Sequence, residues 1–243
     1  MKWLLSLVVA VLFALVITGT VHAREEIRSY LVDIEVRTDA SIEVTETITV
    51  NAEGTDIRRG IYRDIPLRML DDRGLWSSSG FDLIEVLHNG RPSPYHTEWK
   101  GRFFRILIGD EHVFIPRGEH VYEIRYIIAE QLHHSDDYDE IYWNVIGNGW
   151  SFPILSAVAS VKLPDGAHAE KLAASTGAFG EAGGDFIASG EGQSEVRFDL
   201  TKPLGPEQGM TIAVRFTKGV VKPVADSAEH LGSGVTFTQE VLK

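Results

Sequence analysis

Cysteine is absent from all 243 residues. Disulfides, thiolate metal sites, a cysteine nucleophile and a lipid-bearing N-terminal cysteine are thereby excluded. A chain without cross-links must be held by its core, and one of this length can build it. Positive charge is scarce as well: 23 Lys and Arg stand against 35 Asp and Glu, a formal net charge of −12. That balance argues against non-specific attachment to nucleic acid or anionic lipid, so no nucleic-acid partner is expected. Helical patterning is also wanting. No segment sustains apolar residues at about 3.6-residue spacing, and the short candidates are 69–75 and 168–174. Catalytic signatures are missing too: there is no Gly-x-Ser-x-Gly elbow, Ser-x-x-Lys set, Walker loop, HExxH helix or EF-hand loop. No catalytic residue, cofactor or metal is therefore assigned, and no enzymatic activity is expected. Paired carboxylates for glycoside hydrolysis stay open, because such pairs are non-local in sequence.

What is present begins with an export signal. Lys2 precedes an apolar run from Leu4 to Ile17, and Val21-His22-Ala23 has the form of a cleavage site. The run is short beside the roughly 20 residues of a spanning helix. Residues 1–23 thus read as a signal-peptide helix, 24–222 as an extracytoplasmic domain and 223–243 as a linker or disordered tail. Removing the signal leaves 22 Lys and Arg against 35 Asp and Glu, a net of −13.

The mature chain reads as strands. Tyr30, Val32, Ile34 and Val36 alternate with Leu31, Asp33, Glu35 and Arg37, and Ile42, Val44, Ile48 and Val50 alternate with Glu43, Thr45, Thr47 and Thr49. This is period two, with one face buried, and Thr38-Asp39-Ala40-Ser41 supplies the turn of a long hairpin. Further strands are predicted at 56–66, 81–88, 103–108, 112–115, 119–128, 139–146, 154–163, 194–200 and 209–217, with Gly, Pro and Asn turns between them. Short strands at such spacing predict an all-β, antiparallel β-sandwich, immunoglobulin-like or similar. Residues 175–193 are rich in Gly and small polar residues and read as a mobile loop or weak edge hairpin.

Three constellations stand out. Glu46 shares the inward parity of Val44 and Ile48, and a buried carboxylate needs a partner. The stretch Ile57-Arg58-Arg59-Gly60-Ile61-Tyr62-Arg63-Asp64-Ile65-Pro66 offers arginines, whose fork can meet both carboxylate oxygens. A structural ion pair of Glu46 with Arg59 or Arg63 is expected, with Gly60 allowing close backbone approach. The alternative is a ligand clamp, with Arg58 exposed beside Tyr62 and open to an acidic peptide or sugar acid. The second is His133-His134-Ser135-Asp136-Asp137-Tyr138-Asp139-Glu140, which matches no metal-ligand spacing and reads as a solvated acidic loop rather than a Zn²⁺ or Ca²⁺ site. The third pairs Tyr142-Trp143-Asn144-Val145 with Gly147-Asn148-Gly149-Trp150. Alternation places Trp143 in the core, and the Gly-Asn-Gly setting makes Trp150 the surface contact.

Taken in order, Val44-x-Glu46, Arg59-Gly60-Ile61-Tyr62-Arg63-Asp64-Ile65-Pro66, Ile108-Gly109-Asp110, Tyr122-x-Ile124-x-Tyr126, Trp143-Asn144-Val145 and Trp150-x-x-Pro153-Ile154 resemble a known pattern. It is that of the N-terminal domain of the predicted-membrane-protein family called domain of unknown function 2207, over roughly residues 25–220. The resemblance implies a signal peptide, an extracytoplasmic β-rich domain, then spanning segments and a cytoplasmic tail, with no assigned enzymatic activity. This sequence departs from it in having no spanning segment between Lys222 and Lys243. The expectation is the front part of a longer membrane protein, or a solo form. The resulting reading is an interaction or sensing module on the extracytoplasmic face of the cell membrane. Its partners would be a membrane-embedded remainder or an envelope protein, with envelope polysaccharide as a further candidate. The alternative is a cell-envelope carbohydrate-active enzyme or glycan-binding protein.

Overall fold

The computed structural model describes residues 24–70, 76–129 and 131–222. The expected signal peptide and tail lie outside them. Seventeen strands follow in order: β1 Glu26–Val36, β2 Ile42–Ala52, β3 Gly60–Pro66, β4 Arg68–Leu70, β5 Trp76–Ser78, β6 Phe81–His88, β7 Arg91–Pro92, β8 Tyr95–Lys100 and β9 Phe103–Gly109. Then come β10 Gly118–Ile128, β11 Leu132–His134, β12 Tyr138–Ile146, β13 Ala157–Lys162, β14 Ala169–Ala178, β15 Phe186–Ser189, β16 Glu195–Leu200 and β17 Gln208–Thr217. The all-β expectation holds throughout the described residues, among which no helix is long and apolar enough to cross a membrane.

The strands form an eight-stranded sheet, β15-β16-β13-β1-β2-β10-β6-β7, a four-stranded sheet, β11-β12-β17-β14, a three-stranded sheet, β3-β9-β8, and a β4-β5 ribbon. Pairing is antiparallel except at the centre of the large sheet. There β1 runs parallel to β13, from Tyr30 opposite Ala157 to Glu35 opposite Lys162. A bulge between Ile27 and Ser29 shifts the parity of β1, so that Ile27 and Tyr30 both turn inward.

One hydrophobic cluster joins the three larger sheets. Val32, Ile48 and Ile124 come from the eight-stranded sheet, Trp143, Ile212 and Val214 from the four-stranded sheet, and Ile61, Ile65 and Ile106 from the three-stranded sheet. Each such side chain contributes about 1.5–3 kcal/mol when removed from water.

The differences from expectation have physical causes. Of residues 168–174, all but His168 fall on β14 and none on a helix, although Ala, Lys and Leu favour helix. Pairing with β17, Leu172 opposite Val214 and Ala174 opposite Ile212, overrides that preference. Of residues 69–75, the first two lie on β4 and the rest lie outside the described residues. Residues 112–115 form no strand; they turn, with the Val113 N–H donating to the Asp110 carbonyl. The 175–193 stretch belongs in part to β14 and β15, and the loop between them folds back on β14 through a Thr176–Gly183 bridge.

The chain enters and leaves this body at opposite ends of the β1–β2 pair. At the N-terminal pole the Glu25 carboxylate accepts backbone N–H groups of Glu53, Thr55, Asp56 and Ile57 at 2.8–3.2 Å. At the C-terminal pole the Lys222 N–H donates to the Thr38 carbonyl at 2.9 Å. Eleven residues of strand at about 3.3 Å each separate the two.

Candidate functional site

The arginine-rich stretch becomes β3, which packs its three-stranded sheet on the inner face of the large sheet. Its burial alternates, with Ile61, Arg63 and Ile65 inward and Tyr62 and Asp64 outward. Gly60 and Gly109 face each other across β3 and β9 at φ 143° and 128°. A Cβ on Gly60 would lie 1.8 Å from the Ile108 carbonyl oxygen, and one on Gly109 would lie 2.0 Å from that of Arg59. Only glycine lets the strands start this closely.

Arg63 and Glu46 are 1% and 0% exposed. The guanidinium forks onto the carboxylate, with Nε to Oε2 at 2.7 Å and Nη2 to Oε1 at 2.8 Å. Nη1 donates to the Asp64 carbonyl at 2.6 Å. Two phenols complete the shell: Tyr30 donates to Oε2 at 2.7 Å and Tyr126 to Oε1 at 2.5 Å. Burial, followed for Tyr126 by the adjacent Glu46 charge, raises both phenols well above the usual tyrosine range, so both stay protonated donors. Burial alone would lower the Arg63 value, but the Glu46 charge overcomes it and Arg63 is held well above its ordinary range.

Outside this pair stands a stack. Tyr62 lies parallel to Trp150, with centroids 6.4 Å apart, and the Arg105 guanidinium sits 4.1 Å from the Tyr62 ring centroid. Arg105 forks onto Asp64 at 2.6 and 2.7 Å, which raises its pKa. The Tyr62 hydroxyl donates to the Gly149 carbonyl, and Trp150 meets Tyr30 edge-on at 5.8 Å. The Gly-Asn-Gly loop closes on β3, for a Cβ on Gly147 would stand 3.1 Å from Arg63 Nη1. The remaining gap between loop and strand, about 10 Å³, is at the size limit for a single water.

The structure therefore brings Glu46, Arg63, Tyr62 and Trp150 together and leaves Arg58 and Arg59 apart. Arg63, not Arg59, meets Glu46. Arg59 precedes the strand and stacks on the exposed ring of Phe114 at 4.3 Å. Arg58 is exposed, as expected, but lies outside the Tyr62 stack, so the two do not form one clamp. Trp150 needs a correction: it is 5% exposed and belongs to the core, because its glycines press the loop inward rather than free it. Trp143 is buried, as alternation predicts. Tyr30, Tyr126 and Arg105 went unassigned in the sequence. In the register, Val32 and Ile124 flank Glu46, so Tyr30 and Tyr126 are diagonal neighbours of the carboxylate on the two adjoining strands.

The histidine-rich segment is a β11–β12 hairpin: Asp136 and Asp137 form the exposed acidic turn that was expected, while the flanking residues are held by ion pairs. Asp139, fully buried, receives Lys218 at 2.8 Å and meets His134 Nδ1 at 2.6 Å, and Arg215 pairs with Glu140 at 2.8 Å. No group of three metal-ligating side chains occurs among the described residues. A second histidine feature went unnoticed in the sequence. His120 Nε2 donates to the Pro116 carbonyl at 2.8 Å, and His120 Nδ1 lies 2.8 Å from His88 Nε2. His88 stacks on Tyr122 at 4.5 Å. An open groove of about 580 Å³ lies on the outer face of the large sheet among Asp33, Glu43, Ser160, Lys162, Glu195 and Arg197. No aromatic ring lines it.

The family model described as the N-terminal domain of a predicted membrane protein (DUF2207) matches residues 26–216. An uncharacterised protein of Escherichia coli, YciQ, is 29% identical over 139 residues, which cover 57% of this chain and 22% of that protein. Among solved structures, yeast LTA4 hydrolase in complex with bestatin superposes with a TM-score of 0.51 at 12% identity, covering 78% of this chain and 28% of the hydrolase. This chain thus spans well under a third of either protein. At that identity the likeness to the hydrolase is one of fold.

Proposed function

We propose that this chain, which belongs to the DUF2207 family of predicted membrane proteins through their N-terminal domain, is a non-enzymatic interaction or sensing module on the extracytoplasmic face of a membrane. The observation that carries this reading is the use of the motif residues. Glu46, Arg63, Tyr62, Asp64 and Trp150 bind one another and Arg105, leaving none of the set turned toward a substrate. Their chemistry goes into holding one sheet on another. The export pattern of residues 1–23 supports the extracytoplasmic side. With Trp150 buried, a polysaccharide has no stacking platform there, so the favoured partners are polypeptides: the membrane-embedded remainder or an envelope protein. The remainder would follow from the C-terminal pole, where Lys222 is tied to Thr38.

Fractionation of source cells tests this reading, with antibody to residues 24–222. The expected result is a membrane-fraction band well above 27.0 kDa, digested by protease added outside intact spheroplasts. A soluble band at the mature mass, or protection from external protease, overturns it.

A further inference from the structure

The edges of the sheets are not equally protected. At the edge of the four-stranded sheet, β14 is closed by its own loops, through Gln193 to Ala169 and Gly183 to Thr176. The free side of β3 is covered by the 147–150 loop. Strands β7, β11 and β15 are only two to four residues long. Strand β8, six residues at the margin of β3-β9-β8, has none of these covers among the described residues.

Its register shows what it offers. The Gly109 N–H donates to the Pro94 carbonyl, which sets the hydrogen-bonded pairs at His96–Leu107, Glu98–Arg105 and Lys100–Phe103. The N–H and C=O groups of Tyr95, Thr97 and Trp99 therefore point away from β9. The side chains of these residues continue the apolar face begun by Ile106 and Ile108. Tyr95 is nevertheless 50% exposed and Trp99 43%, so that face runs out into solvent.

Charge marks the same strand. Val86 to Ile108 carries Arg91, Lys100, Arg102 and Arg105 against Glu98 alone, in a chain of net −12. Arg68 adds a guanidinium 3.6 Å from the Trp99 ring centroid. Arg105 is occupied by Asp64, but no ion pair holds Arg91, Lys100 or Arg102 among the described residues.

We propose that β8 is a docking edge for an extended acidic segment of a partner polypeptide, which adds to the three-stranded sheet as its fourth strand. This rests on the reading of the domain as an interaction module and names its surface. Main-chain pairing requires a polypeptide. Alternate partner residues would lie apolar against Tyr95 and Trp99 and acidic along the row of His96 and Lys100. A charged lysine also guards edges against unwanted pairing. The guard and the dock differ in outcome, because a guard repels every strand while a basic dock accepts an acidic one.

The test uses the isotope-labelled full chain and a blocked peptide of about eight residues alternating Glu and Val, with Lys replacing Glu in the control peptide. The acidic peptide should shift the amides of Tyr95, Thr97 and Trp99, and the basic peptide should bind at least about tenfold more weakly. Thr97→Pro removes an outward N–H and should abolish binding. Should that variant fail to fold, Lys100→Glu with Arg102→Glu, both on exposed side chains, should weaken binding about tenfold. Absence of β8 shifts, equal response to both peptides, or self-association through β8 seen in sedimentation overturns the proposal. Shifts confined to another surface overturn the edge and leave the module reading standing, whereas the fractionation result bears on the module alone.

Discussion

At the scale of single residues, the Glu46–Arg63 pair sets the sharpest energetic expectation. Both charges are out of water and fully bonded, so removing one strands the other. Glu46→Gln should lower unfolding free energy by about 3–5 kcal/mol, read from urea denaturation. Replacing both together, as Glu46→Leu with Arg63→Met, should recover much of that loss, since the desolvation cost leaves with the charges. Arg59→Ala, at a surface stack, should stay within about 1 kcal/mol. Titration adds a second expectation. His88 lies below its ordinary 6.5 because of burial and the neighbouring His120. The unfolded chain therefore binds the proton more readily, and stability falls as pH drops from 6.5 through the folded value. Burial alone would raise Asp139, but hydrogen bonds from Lys218, His134 and the Gly219 N–H hold it below 3.8. Its contribution is present above 3.8 and is lost as pH falls through the folded value. Denaturation midpoints against pH should thus show two declines; His88→Gln should flatten the upper one and Asp139→Asn the lower.

At the scale of elements, the Gly60–Gly109 contact is the most exacting. Ala at either position would put a methyl about 2 Å from a backbone oxygen in the facing strand, with no flexible side chain to yield. Gly60→Ala and Gly109→Ala should each cost more than about 2 kcal/mol or prevent folding, checked by circular dichroism melts. The elements also show what could be read from the chain alone. The β1–β2 hairpin and the inward Glu46 were legible because period-two alternation carries parity directly. The choice between Arg59 and Arg63 was not, because both share a parity and only the start of the strand at Gly60 separates them. Trp150 misled because a Gly-Asn-Gly run signals an exposed turn equally well when its missing side chains serve to seat the turn on a neighbour. The inward turn of Tyr30 was legible from the same alternation, but its bond to Glu46 was not, because that depends on the register of β1 on β2. Strand β8, with aromatics on one face and charges on the other, was overlooked beside its flanking prolines.

At the scale of the whole molecule, the shared core joins the three larger sheets and implies a single cooperative unit. Calorimetry of residues 24–222 should give one transition with equal calorimetric and van't Hoff enthalpies; separate transitions would mean that the sheets are thermally independent. The parallel β1–β13 pairing has a further consequence, in time rather than in space. Strand β1 sits at the centre of the largest sheet, yet its flank is covered by a strand that begins about 120 residues later in the chain. During synthesis the hairpin of β1 and β2 emerges first and then waits, its β2 edge bare until β10 arrives and its β1 edge bare until β13 does. A fragment ending at Asn148 should therefore self-associate in light scattering, where residues 24–222 do not. Contacts of such long sequence separation also make closure slow. The order in which the chain is made and the order in which it can close run against each other, so a chain still in synthesis keeps the middle of its largest sheet open until β13 fills it.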